Sequence, residues 1–170
     1  MPYIKRMNKT TSATRTNADP RTDGAANRCN GTAMRKASRR ITQLYDDALA
    51  GTGMRSTQFA ILAEAHRLRA DPPTLQELAD ALVMERSALG HTVRPLERDG
   101  LLLLQAGEVD KRRRHVTLTA AGAAALRAAV PLWQQAQDHF EATYGKQQAE
   151  QLRHLLLTIA YDERLAPLGD

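Results

Sequence analysis

The side chains best placed to do chemistry are basic residues set at regular intervals. From Arg86 to Arg98, the residues Arg86, Ser87, Gly90, His91, Arg94 and Arg98 fall on one side of a helix, while Leu89, Val93 and Leu96 fall on the other. Such a helix turns guanidinium, imidazole and hydroxyl groups outward and keeps an apolar seam for its own core. Its dimensions fit the DNA major groove, where each base pair shows a distinct pattern of donors, acceptors and methyl groups. Downstream, Gly107-Glu108-Val109-Asp110-Lys111 forms a turn between two strand-like segments, with Arg112, Arg113 and Arg114 following it. A thin ribbon tipped with arginine fits the minor groove, where the potential is most negative.

Other chemistries find little support. Gly-x-Ser-x-Gly, a phosphate-binding glycine loop and His-Glu-x-x-His are all absent from the sequence. Gly51-Thr52-Gly53 joins two helical segments and follows no strand, which disfavours a nucleotide site. His66, His91, His115, His139 and His154 show no metal-ligand spacing with one another or with Cys29. We therefore expect no catalytic residue, no metal and no cofactor. The single cysteine excludes an intramolecular disulfide and suits a reducing, cytoplasmic setting.

Elements that position these residues can be read from local signals. Thr74-Leu75-Gln76-Glu77 has the form of a capping box, and Leu75, Leu78, Ala79 and Leu82 follow at helical spacing. After a tight turn, the helix bearing Arg86 to Asp99 ends at Gly100, which supplies a left-handed stop. Leu101–Leu104 and Arg114–Leu118 read as strands, Val116 and Leu118 alternating with His115 and Thr117. A helix around Ala33–Ala50 carries Met34, Ala37, Ile41, Leu44, Tyr45 and Ala48 on one face. Thr119 caps a long helix with Leu126, Val130, Trp133, Ala136, Phe140 and Tyr144 on its apolar side; Pro131 should kink it or open its hydrogen bonding. Gly145 breaks that helix, and Leu152, Leu155, Leu156 and Ile159 define a last one.

The run TLQELADAL…LERDGLL…DKRRRHVTLTAAG resembles the multiple-antibiotic-resistance regulator (MarR) family of winged-helix transcription factors. The upstream RKASRRITQLYDDALAGTGMRSTQFAILAEA is similar to that family's first two helices, so the likeness spans about residues 28–163. Its sharpest marks are Gln58-Phe59, Leu96-Glu97-Arg98-Asp99-Gly100, and Asp110-x-Arg112 ahead of Leu118-Thr119. The resemblance implies that Arg112 enters the minor groove and that Asp110 braces the wing. Lys111, Arg113 and Arg114 extend the charge, Arg114 with a plain reading as a strand residue facing solvent, and Arg86, Ser87, His91 and Arg94 become candidates for base or phosphate contact. Where the family often has an arginine, this chain has His91, a side chain that gains charge as the pH falls toward the imidazole pKa.

The same resemblance implies a site for small aromatic acids between dimerisation helices and the winged lobe. Arg39 or Arg40 would hold a carboxylate there, with Tyr45, Met54, Phe59 and His66 as walls; each also has a plain reading as core or surface. His66 shares a face with Phe59 and Leu62, so a core histidine is its default. Some relatives sense peroxide through a cysteine in the first helix. Aligned on Thr42 and Tyr45, that position falls at Gly31 rather than Cys29, and a supporting tyrosine is replaced by Ser56. Cys29 is thus expected to be an ordinary, partly buried thiol, with redox sensing as the alternative.

The chain of 170 residues has a net charge of +5. Residues 1–28 hold six Lys/Arg against two Asp, which leaves the remainder near neutral. From Glu85 to His115 there are seven basic and five acidic residues, so the motif and not bulk charge points to nucleic acid. The expected architecture is mainly α with a small β-wing. Residues 1–28 would be a disordered basic tail, 56–118 a winged helix-turn-helix, and 29–55 with 119–165 a helical dimerisation region. Excess apolar surface on the terminal helices argues for a homodimer on a pseudo-palindromic duplex. The function expected is a DNA-binding regulator, a repressor released by a small aromatic or phenolic ligand. The alternatives are a redox-responsive repressor acting through Cys29 and a winged-helix protein-interaction module.

Overall fold

A computed structural model describes residues 28–106 and 113–165. The chain divides into Met1–Arg39 and Arg40–Asp170. The first unit contains the amino-terminal half of helix α1 (Asn30–Leu49), which begins just after Cys29. The second holds the rest of α1 and then α2 (Ser56–Arg67), α3 (Leu75–Ala81), α4 (Arg86–Arg98), strands β1 (Leu102–Ala106) and β2 (Arg114–Leu118), α5 (Ala120–Tyr144) and α6 (Lys146–Ala160). A mainly helical chain with one small antiparallel sheet is the expected architecture. The tail, residues 1–27, and the wing tip, residues 107–112, lie outside the described residues.

Local chemistry sets most element ends. The capping box at α3 is complete: the Thr74 N–H donates to the Glu77 carboxylate (2.7 Å), and the Glu77 N–H donates to Thr74 Oγ1 (3.2 Å). α4 ends with Gly100 at φ 71°. Gly100 N–H donates to Glu97 O (3.0 Å) and Leu101 N–H to Leu96 O (2.8 Å), the paired bonds of a Schellman stop. The same motif closes α3, where Met84 N–H reaches Ala79 O, but Val83 occupies the left-handed position at φ 50°. A β-branched residue is strained there, and no residue pattern around it announces the strain. Thr119 caps α5 as expected, accepting from the Gly122 N–H at 2.9 Å. α5 continues through Pro131 as one helix.

Leu102 pairs with Leu118 and Ala106 with Arg114 across the hairpin, which places Leu102 and Val116 on the buried side. A third segment joins this sheet unannounced. Thr74 bridges His115, and Val116 N–H donates to Pro73 O at 2.8 Å. Two adjacent prolines disqualify a strand by the usual rule, but only their carbonyls are used here, so no missing donor matters. Leu49, Phe59, Ile61, Leu62, Leu78, Leu89, Val93, Leu96, Leu102, Val116 and Leu126 form one core that joins the helices to the sheet.

Candidate nucleic-acid interface

α4 buries Leu89, Val93 and Leu96 and leaves Arg86, Ser87, His91, Arg94 and Arg98 exposed, the division its spacing required. Between α4, the start of α3 and the base of the hairpin runs a cleft of about 400 Å³. Its walls bring together Arg86 and Arg94 from α4 with Arg113 and Arg114 from the wing base, and Gly90 also lines it. Ser87 and His91 do not line this cleft. Arg114, which the sequence left as a solvent-facing strand residue, joins the basic wall.

Two acidic groups stand beside these arginines. Glu97 stands in the cleft wall. Glu77 accepts the Thr74 N–H and also pairs with Arg113 at 3.5 Å, linking the start of α3 to the wing base. Hydrogen bonds from the Thr74 backbone and hydroxyl, with smaller help from Arg113 and His115, hold the Glu77 carboxyl below its ordinary value. His115 is oriented in turn by Pro72 O, 2.8 Å from its Nδ1. Asp110, Lys111 and Arg112 lie outside the described residues.

The expected effector residues part company. Tyr45 is half-buried, and its hydroxyl donates to Gln137 Oε1. It lines a cavity of about 370 Å³ with Trp133, Phe140, Glu141, Arg153 and Leu156, and a second of about 310 Å³ with Thr42, Ser56 and Met84. Burial pushes the Tyr45 phenol up, with nearby Arg153 opposing. Neither cavity is lined by Arg39, Arg40, Met54, Phe59 or His66. Arg39 and Arg40 are exposed, and Met54 and Phe59 belong to the core, Phe59 stacked on Trp133 with ring centroids 5.8 Å apart. His66 is exposed rather than a core histidine, because the buried stripe of α2 runs through Phe59, Ile61, Leu62 and Ala65 and leaves it at the rim. Apart from Ile41, the residues around Tyr45 in the larger cavity come from α5 and α6, whose pairing against α1 no local pattern reveals.

Cys29 also departs from expectation. Its thiol is exposed, not partly buried. A hydrogen bond with the Thr32 side chain lowers its pKa, as do the Thr32 and Gly31 backbone N–H groups at the start of α1 and the Arg35 charge. Among the described residues, no group of His, Cys, Asp and Glu is arranged to hold a metal. No described helix is long and apolar enough to cross a membrane.

A basic helix face set against the base of a two-stranded wing defines a winged helix-turn-helix, and comparison with known proteins agrees. A model of the MarR family matches residues 54–113. The transcriptional regulator HosA of Escherichia coli O127:H6 is 30% identical over 101 residues, 58% of this chain and 72% of HosA. The crystal structure of the M. tuberculosis transcriptional regulator MosR is 33% identical with a TM-score of 0.68, covering 79% of this chain and 98% of that one. MosR in complex with DNA is 36% identical with a TM-score of 0.66, over 75% of this chain and 92% of that one. The chain belongs to the MarR family. It is a DNA-binding transcriptional regulator and not an enzyme.

Proposed function

We propose that the protein is a homodimeric cytoplasmic repressor that leaves a pseudo-palindromic operator when a small aromatic or phenolic ligand binds. One observation carries this reading: the surface is divided between the basic cleft at α4 and an uncovered apolar stripe on α6. Leu152, Leu155, Leu156 and Leu157 are 39%, 56%, 40% and 50% exposed, and α6 buries only Ala149. A patch of that kind marks an interface, and a second copy of the same helices is its natural cover. Residues 29–55 and 119–165 would then form the dimerisation region, and 56–118 the reading head. Two-fold symmetry places the two α4 helices on half-sites about 10 bp apart, or a multiple of that.

In this scheme Ser87, His91 and Arg94 meet base edges or phosphates, and Arg86, Lys111 and Arg113 meet phosphates. Arg112 enters the minor groove, braced by Asp110. The ligand occupies the space beside Tyr45, between α1 and the winged lobe, and changes the separation of the two reading heads. A coupling of about 1–3 kcal/mol lowers DNA affinity roughly 5- to 150-fold.

Footprinting the DNA next to the gene, then titrating the recovered duplex with aromatic carboxylates and phenols, tests the whole scheme. The expected result is a dimer by sedimentation, release by at least one of these ligands, and a loss of about 1–3 kcal/mol in binding for Arg112→Ala. A monomer on DNA, or indifference to every ligand of both classes, overturns it. The exposed, acidified Cys29 thiol favours a second reading, release by oxidation. Peroxide that frees the parent from DNA but spares Cys29→Ser would select it.

A further inference from the structure

Gly90 lies in the middle of α4, where glycine makes a helix less stable than alanine does. Nothing among the described residues asks for it. Among the described residues the glycines with left-handed backbone are Gly53, Gly100 and Gly145, and a Cβ built on Gly90 would meet no described atom within 4 Å. Gly122 shows the contrast: a Cβ there would stand 2.0 Å from the Leu101 carbonyl oxygen. Among the described residues none supplies a reason for glycine at this position.

Its surroundings say what approaches. Arg86, Gly90 and Arg94 recur at intervals of four, which stacks them on one stripe of α4, and that stripe faces Arg113 and Arg114 across the cleft. Arg113 is paired with Glu77, whereas among the described residues no carboxylate pairs with Arg86, Arg94 or Arg114. Resting on the reading above, with α4 in the major groove and the wing in the neighbouring minor groove, one geometric consequence is unavoidable. The strand that separates those two grooves must pass between helix and wing.

We infer that the sugar–phosphate backbone of this strand packs against the α4 main chain at Gly90, with Arg86, Arg94 and Arg114 around its phosphates. Glycine at 90 gives up helix stability to let the strand come close. Arg114 becomes a phosphate contact in its own right.

The test uses the full chain, the footprinted operator duplex and a random duplex, titrated across a series of salt concentrations. Gly90→Ala should raise the melting temperature by about 2–4 °C, as a gain in helix propensity does in a chain of this size. It should weaken binding to both duplexes by the same factor, about tenfold, with the salt slope unchanged because no charge is lost. Arg114→Ala should reduce that slope by about one on both duplexes. Wild-type affinity in Gly90→Ala overturns the contact. A loss confined to the operator also overturns it, because a base edge would then occupy the place given to the backbone. So does a lower melting temperature, which would make Gly90 a servant of the fold. If the wild-type chain binds neither duplex, the placement and the DNA reading beneath it fall together.

Discussion

Asp46 shows how one side chain late in α1 sets the start of the next helix. Its carboxylate accepts the Ser56 N–H at 2.7 Å and pairs with Arg55 at 3.2 Å, so a residue ten positions upstream caps α2. Burial is the largest single influence on this carboxyl and raises its pKa. The bonds from the Ser56 backbone and hydroxyl and from Arg55 together outweigh it, and the net shift is downward. A depressed carboxyl pKa stabilises the fold above the unfolded value and loses that contribution as the pH falls through the folded one. Asp46→Ala should therefore cost about 0.5–2 kcal/mol at neutral pH, the usual worth of a helix cap. Urea unfolding from pH 7 to pH 3 should show the gap to wild type closing below about pH 4. A gap that stays constant would mean the carboxylate charge is not what holds α2.

Elements in this molecule meet at a few tight points, and the junction of β1 with α5 is one of them. Thr119 Oγ1 lies 2.7 Å from Gly100 O and 3.1 Å from Leu101 O while accepting the Gly122 N–H. One hydroxyl thus ties the end of α4, the start of the wing and the first turn of α5. Gly122 lets the chains close, since a Cβ there would also come within 2.8 Å of Leu118 Cδ1 and 3.0 Å of the Leu101 carbonyl carbon. Backbone cannot yield as a flexible side chain can. We expect Gly122→Ala to lower stability by about 1–3 kcal/mol, read as an earlier urea midpoint. An unchanged midpoint would show that the junction has slack. Alanine substitution thus has opposite expected signs at Gly90 and Gly122, although each glycine lies within a helix.

The whole molecule leaves α6 with too little of its own chain to cover it. Leu155 is 56% exposed, so a glutamate there should leave the core intact while placing charge on the proposed contact between two copies. Sedimentation should find Leu155→Glu as a folded monomer with weak operator binding, because a single reading head loses the second half-site. Removing residues 146–170 should leave a monomer or an aggregate without operator affinity. A monodisperse dimer in either case would place the interface elsewhere.

What the sequence determined alone was governed by neighbours within one or two helical turns, the left-handed Val83 excepted. The Thr74–Glu77 box, the Gly100 stop, the Thr119 cap and the α4 stripe depend on residues three to six positions apart, and the structure reproduces each. Its resemblance to a family was legible for the same reason, since those marks are local strings. Tertiary structure decided what distant segments do to one another. Pro72 binds His115 across 43 positions, Tyr45 reaches Gln137 across 92, and Arg114 turns into a wall shared with α4. His66 fell to the rim, and Met54 and Phe59 went to the core, because packing directions, not spacing alone, choose which part of a helix is covered. Periodicity gives a face; only the partner packed against it sets how far that face extends.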